Sequence, residues 1–271
     1  AHSHQQSGDA NVAKLMADRS AMRTSDFDYD LPSELIAQSP VEPRDSSRLL
    51  VMHRDTGALE HRHFPDLLEY LLPGDVMVFN QSRVIPARLY GHRADTGSKV
   101  EFLLLRRYAD ATWQAMARPG RRLRAGVVVE IDNLPLFPKG GTDGGFSVEV
   151  IAAHDDGLKT VRLSSEEGIE RFGHTPLPPY IKETLSDPER YQTVYSKVLG
   201  SVAAPTAGLH FTDSLLERLR ENGVITIFVT LHVGWDSFRP VRVEEIFDHQ
   251  MHSEQWELGQ DAATIVNVAK Q

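Results

Sequence analysis

Val100-Glu-Phe-Leu-Leu-Leu105, Trp113-Gln-Ala-Met-Ala117, Val127-Val-Val-Glu-Ile131, Phe146-Ser-Val-Glu-Val-Ile-Ala152 and Thr160-Val-Arg-Leu163 are five short apolar runs separated by turn residues. Strands this short, at this spacing, predict a small barrel or sandwich. Asp155-Asp-Gly157 is a hairpin signal between the last two runs, and Lys139-Gly-Gly-Thr-Asp-Gly-Gly145 is a turn-rich link between the preceding pair. An all-β, barrel-like domain is therefore expected over residues 87–164.

Both flanks read differently. Phe64-Pro-Asp-Leu-Leu-Glu-Tyr-Leu-Leu72 has the pattern of a short amphipathic helix stopped by Pro73-Gly74, and Val76-Met-Val-Phe79 that of a buried strand. Thr212 or Asp213 can cap a helix running through Arg220 with Gly223 ending it, and Val224 to His232 is a strand leading to Gly234. The expected class is an α/β main domain, discontinuous over 25–86 and 165–271, with the small all-β barrel-like domain inserted at 87–164. Residues 1–24, polar and without periodicity, read as a disordered leader or extension.

With 271 residues, 41% hydrophobic and 25% charged, the chain has an ordinary soluble composition. No run approaches the roughly 18 apolar residues needed to span a bilayer, and no apolar signal core opens the chain, so a cytoplasmic protein without a membrane partner is expected. The absence of cysteine excludes disulfides, thiolate catalysis and cysteine metal sites. A net charge of −9 argues against nonspecific coating of nucleic acid. The local run Arg106, Arg107, Arg118, Arg121, Arg122 and Arg124 reads either as a solvated face or as an RNA backbone contact.

Residues with chemistry cluster late. In Ser201-Val-Ala-Ala-Pro-Thr-Ala-Gly-Leu-His-Phe-Thr212, the small residues leave room for close backbone approach just before a helix. Thr206, Ala207 and Gly208 are the expected ligand contacts, and His210 the first candidate for acid or base. Thr230-Leu-His-Val-Gly-Trp-Asp-Ser-Phe-Arg-Pro-Val-Arg242 adds His232 and Gly234; Asp248-His-Gln-Met-His-Ser-Glu254 adds His252 and Glu254. An imidazole titrating near about 6.5 serves either direction of proton transfer at neutrality. His249 and His252, three apart, would share a helical face, yet no His-Glu-x-x-His pattern accompanies them and no metal is expected. Each histidine also has a bland reading, a buried ring satisfied by a polar network.

These strings, together with Asp26-Phe-Asp-Tyr-Asp-Leu-Pro32, Arg44-Asp-Ser-Ser-Arg48, Asp75-Val-Met-Val-Phe-Asn80, Arg83-Val-Ile-Pro-Ala-Arg88 and Pro178-Pro-Tyr-Ile-Lys182, resemble the S-adenosylmethionine:tRNA ribosyltransferase-isomerases of queuosine biosynthesis. The likeness runs in the family's order from Asp26 to Lys270. It implies transfer and isomerisation of the ribosyl part of S-adenosylmethionine onto 7-aminomethyl-7-deazaguanine at the tRNA wobble position, giving epoxyqueuosine with release of adenine and methionine. It also implies S-adenosylmethionine as co-substrate, no prosthetic group, the tRNA anticodon loop as partner, and a monomer. A base that removes a ribose C5′ proton acidified by the sulfonium, an acid for departing adenine, and exclusion of water are what that route demands.

On this resemblance His210, His232, His252 and Glu254 are assigned to catalysis, and Thr206, Ala207, Gly208 and Gly234 to S-adenosylmethionine. Arg44, Arg48, Asn80, Arg83 and Arg88 are assigned to substrate or tRNA, with Asp45 orienting an arginine. An interdomain or local salt bridge is the alternative for each arginine. The family's Gly-Thr-Phe turn is replaced here by Trp235-Asp-Ser-Phe238, which bears on the site near Gly234. The chain stops at Gln271 inside a helix begun near Asp261, so part of the family's main domain is expected to be absent. A truncated, non-catalytic tRNA-binding relative and a metal-dependent hydrolase are the alternatives. An ordinary methyltransferase lacks its glycine-rich loop here.

Overall fold

The computed structural model describes residues 22–132, 145–183, 185–238 and 240–270. Most of the expected leader and residues 139–144 of the turn-rich link lie outside the described residues. The strands are β1 (Arg48–Met52), β2 (Leu59–His63), β3 (Val76–Asn80), β4 (Ser82–Val84), β5 (Arg88–Arg93), β6 (Lys99–Ala109), β7 (Thr112–Arg118), β8 (Val128–Ile131), β9 (Ser147–Ala153), β10 (Lys159–Leu163), β11 (Val198–Ser201), β12 (Ile225–His232) and β13 (Gln255–Glu257). The α-helices are α1 (Gly168–Phe172), α2 (Asp213–Glu221) and α3 (Gln260–Ala269).

The five apolar runs are β6 to β10, and they close with β5 into an antiparallel barrel in the order β10-β7-β6-β5-β8-β9. Alternation fills it: Leu89, Phe102, Leu104, Val129, Val148 and Val161 are fully buried. β5, which the sequence reading passed over, contains Gly91. A Cβ there would lie 2.1 Å from the Glu130 carbonyl oxygen of β8, so the glycine lets the closing strands approach.

Outside the barrel, β12 pairs parallel with β3 and antiparallel with β13, and β11 pairs parallel with β4. α3 packs against β3 and β12. A second core joins Phe64, Phe79, Phe211, Leu215, Leu219 and Val224, burying the apolar face of α2. Thr212 caps α2 by accepting from Leu215 N at 3.2 Å, and Gly223 ends it at φ 81°.

Two expectations change. Phe64–Tyr70 is a 3-10 helix rather than α: Pro65 occupies its first turn and Asp66 accepts from His63 N at 2.9 Å. Among the described residues β3 is an edge strand, paired with β12 alone, and Val78 is 52% exposed.

The chain divides into two compact units, Gln38–Ser237 with Glu254–Gln271, and Ala1–Ala37 with Phe238–Ser253. In the smaller unit Thr24 donates to Val243 O at 2.6 Å and its amide to Glu244 O at 2.8 Å. His249 and His252 lie there beyond a 3-10 turn (Ile246–Asp248) and do not share a helical face.

Candidate functional site

The first group of polar residues sits at the carboxyl ends of parallel strands, where open α/β sheets hold ligands. His232 ends β12, and its ring lies over Gly200 of β11: a Cβ on Gly200 would be 2.6 Å from His232 Cε1. Gly200 has φ 145°, so both backbone and space there call for glycine. His232 Nδ1 is buried without a hydrogen-bond partner, and burial lowers the ring's pKa, keeping it neutral at pH 7. Ser201 Oγ donates to Ser82 Oγ at 2.8 Å and accepts from Val233 N at 3.0 Å, tying the ends of β4, β11 and β12 together. Val202 N donates to Val233 O at 2.9 Å, which fixes the loop leaving β11. The Gly234 amide donates to Glu254 Oε1 at 2.8 Å, so these two expected site residues do meet.

Asn80 stands at the end of β3, and its side chain is engaged by the framework. Its Oδ1 accepts from Leu231 N and Ser82 N, each at 3.0 Å, and its Nδ2 donates to Leu231 O at 2.8 Å.

A second group surrounds the 3-10 turn Thr206–His210. Thr206 and Ala207 are exposed. Gly208 is buried, and the place of its missing Cβ lies 2.2 Å from the Tyr195 hydroxyl, so the protein itself makes the close approach. His210 Nδ1 is 3.0 Å from Ser47 Oγ, and the ring is 5.1 Å from that of Phe64. Burial first, then the charge of Arg190, lowers its pKa. Arg44 donates to Gln192 O at 2.6 Å and Glu189 O at 3.0 Å, while Arg83 pairs with the Glu189 carboxylate and donates to Ser196 Oγ at 3.0 Å. Glu189 therefore links two of the expected arginines. Asp45 accepts from Thr212 Oγ1 at 3.0 Å and so steadies the α2 cap rather than an arginine. Arg48 is exposed on β1.

The third group lies on the outer barrel wall. Arg88, Glu101, Leu103, Met116, Arg118 and Trp235 line a shallow cleft with enclosed room for about one water. Arg88 Nε is 3.5 Å from Glu101 Oε1 and is buried without a hydrogen bond. Trp235 follows Gly234 directly, so the cleft adjoins the strand-end group. Sequence reading singled out Arg88, and Arg118 as part of the basic run, but missed Glu101. A charged residue in the apolar run 100–105 was the available signal for Glu101.

His210 and His232 are held by separate sets of residues, and His252 belongs to the smaller unit, where it is half-buried. Among the described residues no three His, Cys, Asp or Glu side chains converge as potential metal ligands. Likewise, no described helix is long and apolar enough to cross a membrane.

Fold and site together define a β-rich protein with one histidine, His232, and small residues at parallel strand ends beside a closed barrel. Relatives make the class specific. A Dehalococcoides mccartyi (strain CBDB1) protein named S-adenosylmethionine:tRNA ribosyltransferase-isomerase is 51% identical over 250 residues, 92% of this chain and 71% of that protein. A Clostridioides difficile (strain 630) protein of the same name is 49% identical over 254 residues, 92% of this chain and 72% of its own length. The crystal structure of S-adenosylmethionine tRNA ribosyltransferase from Thermotoga maritima is 32% identical, covers 91% of this chain and 65% of its own, and has a TM-score of 0.38. Residues 24–271 match the family described as queuosine biosynthesis protein, and the chain belongs to that family.

Proposed function

We propose that this chain transfers and isomerises the ribosyl moiety of S-adenosylmethionine onto 7-aminomethyl-7-deazaguanine at the tRNA wobble position, yielding epoxyqueuosine-tRNA, adenine and methionine. The observation that carries the reading is near-half identity along 92% of the chain to proteins named for this activity. It acts in the cytoplasm as a monomer and recognises an unpaired anticodon-loop base, as sequence-specific RNA recognition usually does. The catalytic domain comprises 25–86 and 165–271, and the barrel at 87–164 is its insertion.

The geometry supports a division of labour. His232 and His210, both kept neutral by burial, can accept a proton, and His252 remains a candidate. Glu254 orders Gly234 through its amide, and exposed Thr206 and Ala207 offer a hydroxyl and bare backbone to the co-substrate. Arg44 and Arg83 are held in place by Gln192, Glu189 and Ser196, which preorganises their charge for substrate or tRNA. Arg48, exposed on its strand, is suited to a phosphate.

The test is incubation of the protein with S-adenosylmethionine and an anticodon stem-loop carrying 7-aminomethyl-7-deazaguanine, with adenine followed by chromatography. Adenine released only with the modified RNA, and a matching mass gain on that RNA, is the expected result. Stem-loop binding without adenine release would identify a non-catalytic tRNA-binding relative instead.

A further inference from the structure

The main-chain ladder between β3 and β12 ends where Asn80 pairs with Val229. Further along β12 the Asn80 side chain takes the place of a strand: Leu231 N donates to its Oδ1 at 3.0 Å, and its Nδ2 donates to Leu231 O at 2.8 Å. The same Oδ1 accepts from Ser82 N at 3.0 Å, so one carboxamide both turns the chain from β3 into β4 and holds the end of β12. Beyond His232 a second side chain acts. Val233 N donates to Ser201 Oγ at 3.0 Å, and Val233 O accepts from Val202 N at 2.9 Å. Ser201 is fully buried, and its hydroxyl donates to Ser82 Oγ at 2.8 Å.

His232 therefore lies between two main-chain anchors, Leu231 and Val233, each held by a side chain from another strand. Among the described residues no hydrogen bond reaches the ring itself. Its place is set by its own backbone and by the space that Gly200 leaves beneath it. Neither anchoring side chain has much left to offer a ligand. Asn80 has both Oδ1 lone pairs and one of its amide hydrogens engaged, and Ser201 has no exposed surface.

The structure assigns Asn80 and Ser201 as positioning residues for His232: they clamp the backbone on either side of it and so aim a ring that no partner holds directly. This corrects the expectation that Asn80 contacts substrate or tRNA. The inference rests on the proton-transfer role proposed above for His232 and goes beyond it by naming what fixes that residue. A reacting group is effective only while its support keeps it in place.

Two variants of the 271-residue protein test the clamp. Asn80→Asp keeps the size and the accepting oxygen but sets a second oxygen against Leu231 O. Ser201→Ala removes the acceptor for Val233 N. Adenine release is followed with S-adenosylmethionine and the modified stem-loop each varied. In parallel, the ring Cε1–H resonance of His232 is recorded in protein carrying labelled histidine and identified by its loss in His232→Gln. In both variants kcat should fall about 10–100-fold, the effect of a displacement of about 1 Å at a reacting group, with both KM values unchanged and the His232 resonance shifted. If Asn80→Asp does not fold, Ser201→Ala carries the test alone. A resonance unmoved in every folded variant would overturn the clamp, as would a raised KM with kcat retained, which is the behaviour of a substrate contact. A shifted resonance with kcat intact would overturn it too, by removing His232 from the reaction. No adenine from wild type, with the resonance still shifted in the variants, would defeat the proposed activity while the clamp stands.

Discussion

His232 carries the most chemical information of any single residue, because its position and its protonation state have visible causes. Burial lowers its pKa, as it does for His210 and His174, so the folded protein resists protonating rings that the unfolded chain protonates near about 6.5. The unfolded state thus binds more protons below that point. Stability should be fully present above about pH 6.5 and fall as pH drops toward the lowered folded-state values. Urea unfolding between pH 5 and 7.5 measures this, and His232→Gln should flatten the slope. If His232 is the base, the acidic limb of kcat should also lie below pH 6.5, where the neutral ring persists. Gly200→Ala tests its placement: the new methyl would collide with the ring, and we expect kcat to fall about 100-fold with circular dichroism retained. A glycine required only for its backbone conformation would lower the melting temperature without that selective loss.

Elements were legible in proportion to how local their causes are. β6 to β10 follow from alternation and turn residues within each run, whereas β5 is disguised by Gly91, whose reason lies on β8. The α2 cap and terminus were readable because Thr212 and Gly223 act on their own helix. The 3-10 form of Phe64–Tyr70 was not, since apolar spacing alone does not separate it from an α-turn. The candidate site shows the same split. The small residues and His232 at the ends of β11 and β12 announced themselves, but Glu101 and Arg118 join Arg88 only through strand register. The junction of β4 with Gln192 is likewise long-range: the Gln192 amide donates to Val84 O at 2.9 Å and accepts from Val84 N at 3.0 Å, as a strand would. Gln192→Ala leaves both buried backbone groups unpaired and should cost about 2–4 kcal/mol in equilibrium unfolding. Thr212→Ala, which removes one cap, should cost about 1 kcal/mol.

At the scale of the whole molecule, a chain of net charge −9 must bind an RNA polyanion through local positive charge. The barrel carries the basic run that is the candidate for this contact. Arg121, Arg122 and Arg124 follow β7, and Arg106 near the end of β6 is exposed, whereas Arg107 is tied to Glu166 at 2.6 Å. If the barrel face contacts phosphates, the salt dependence of stem-loop binding should weaken by about 0.7–0.9 in log–log slope for each contacting arginine changed to glutamine. Arg121→Gln and Arg124→Gln are the informative pair; an unchanged slope would mark that face as merely solvated. Arg107→Gln, which chiefly releases an ion pair, should alter the slope least.

The three tryptophans stand in three different surroundings: Trp113 is 7% exposed in the barrel core, Trp235 walls the cleft, and Trp256 on β13 is 68% exposed. The chain thus carries its own optical reporters. Acrylamide should quench the Trp256 emission first, and the blue-shifted Trp113 emission should redden only when the barrel opens. A fluorescence change on adding a small molecule, absent in Trp235→Phe, would localise the event to the cleft without any attached dye.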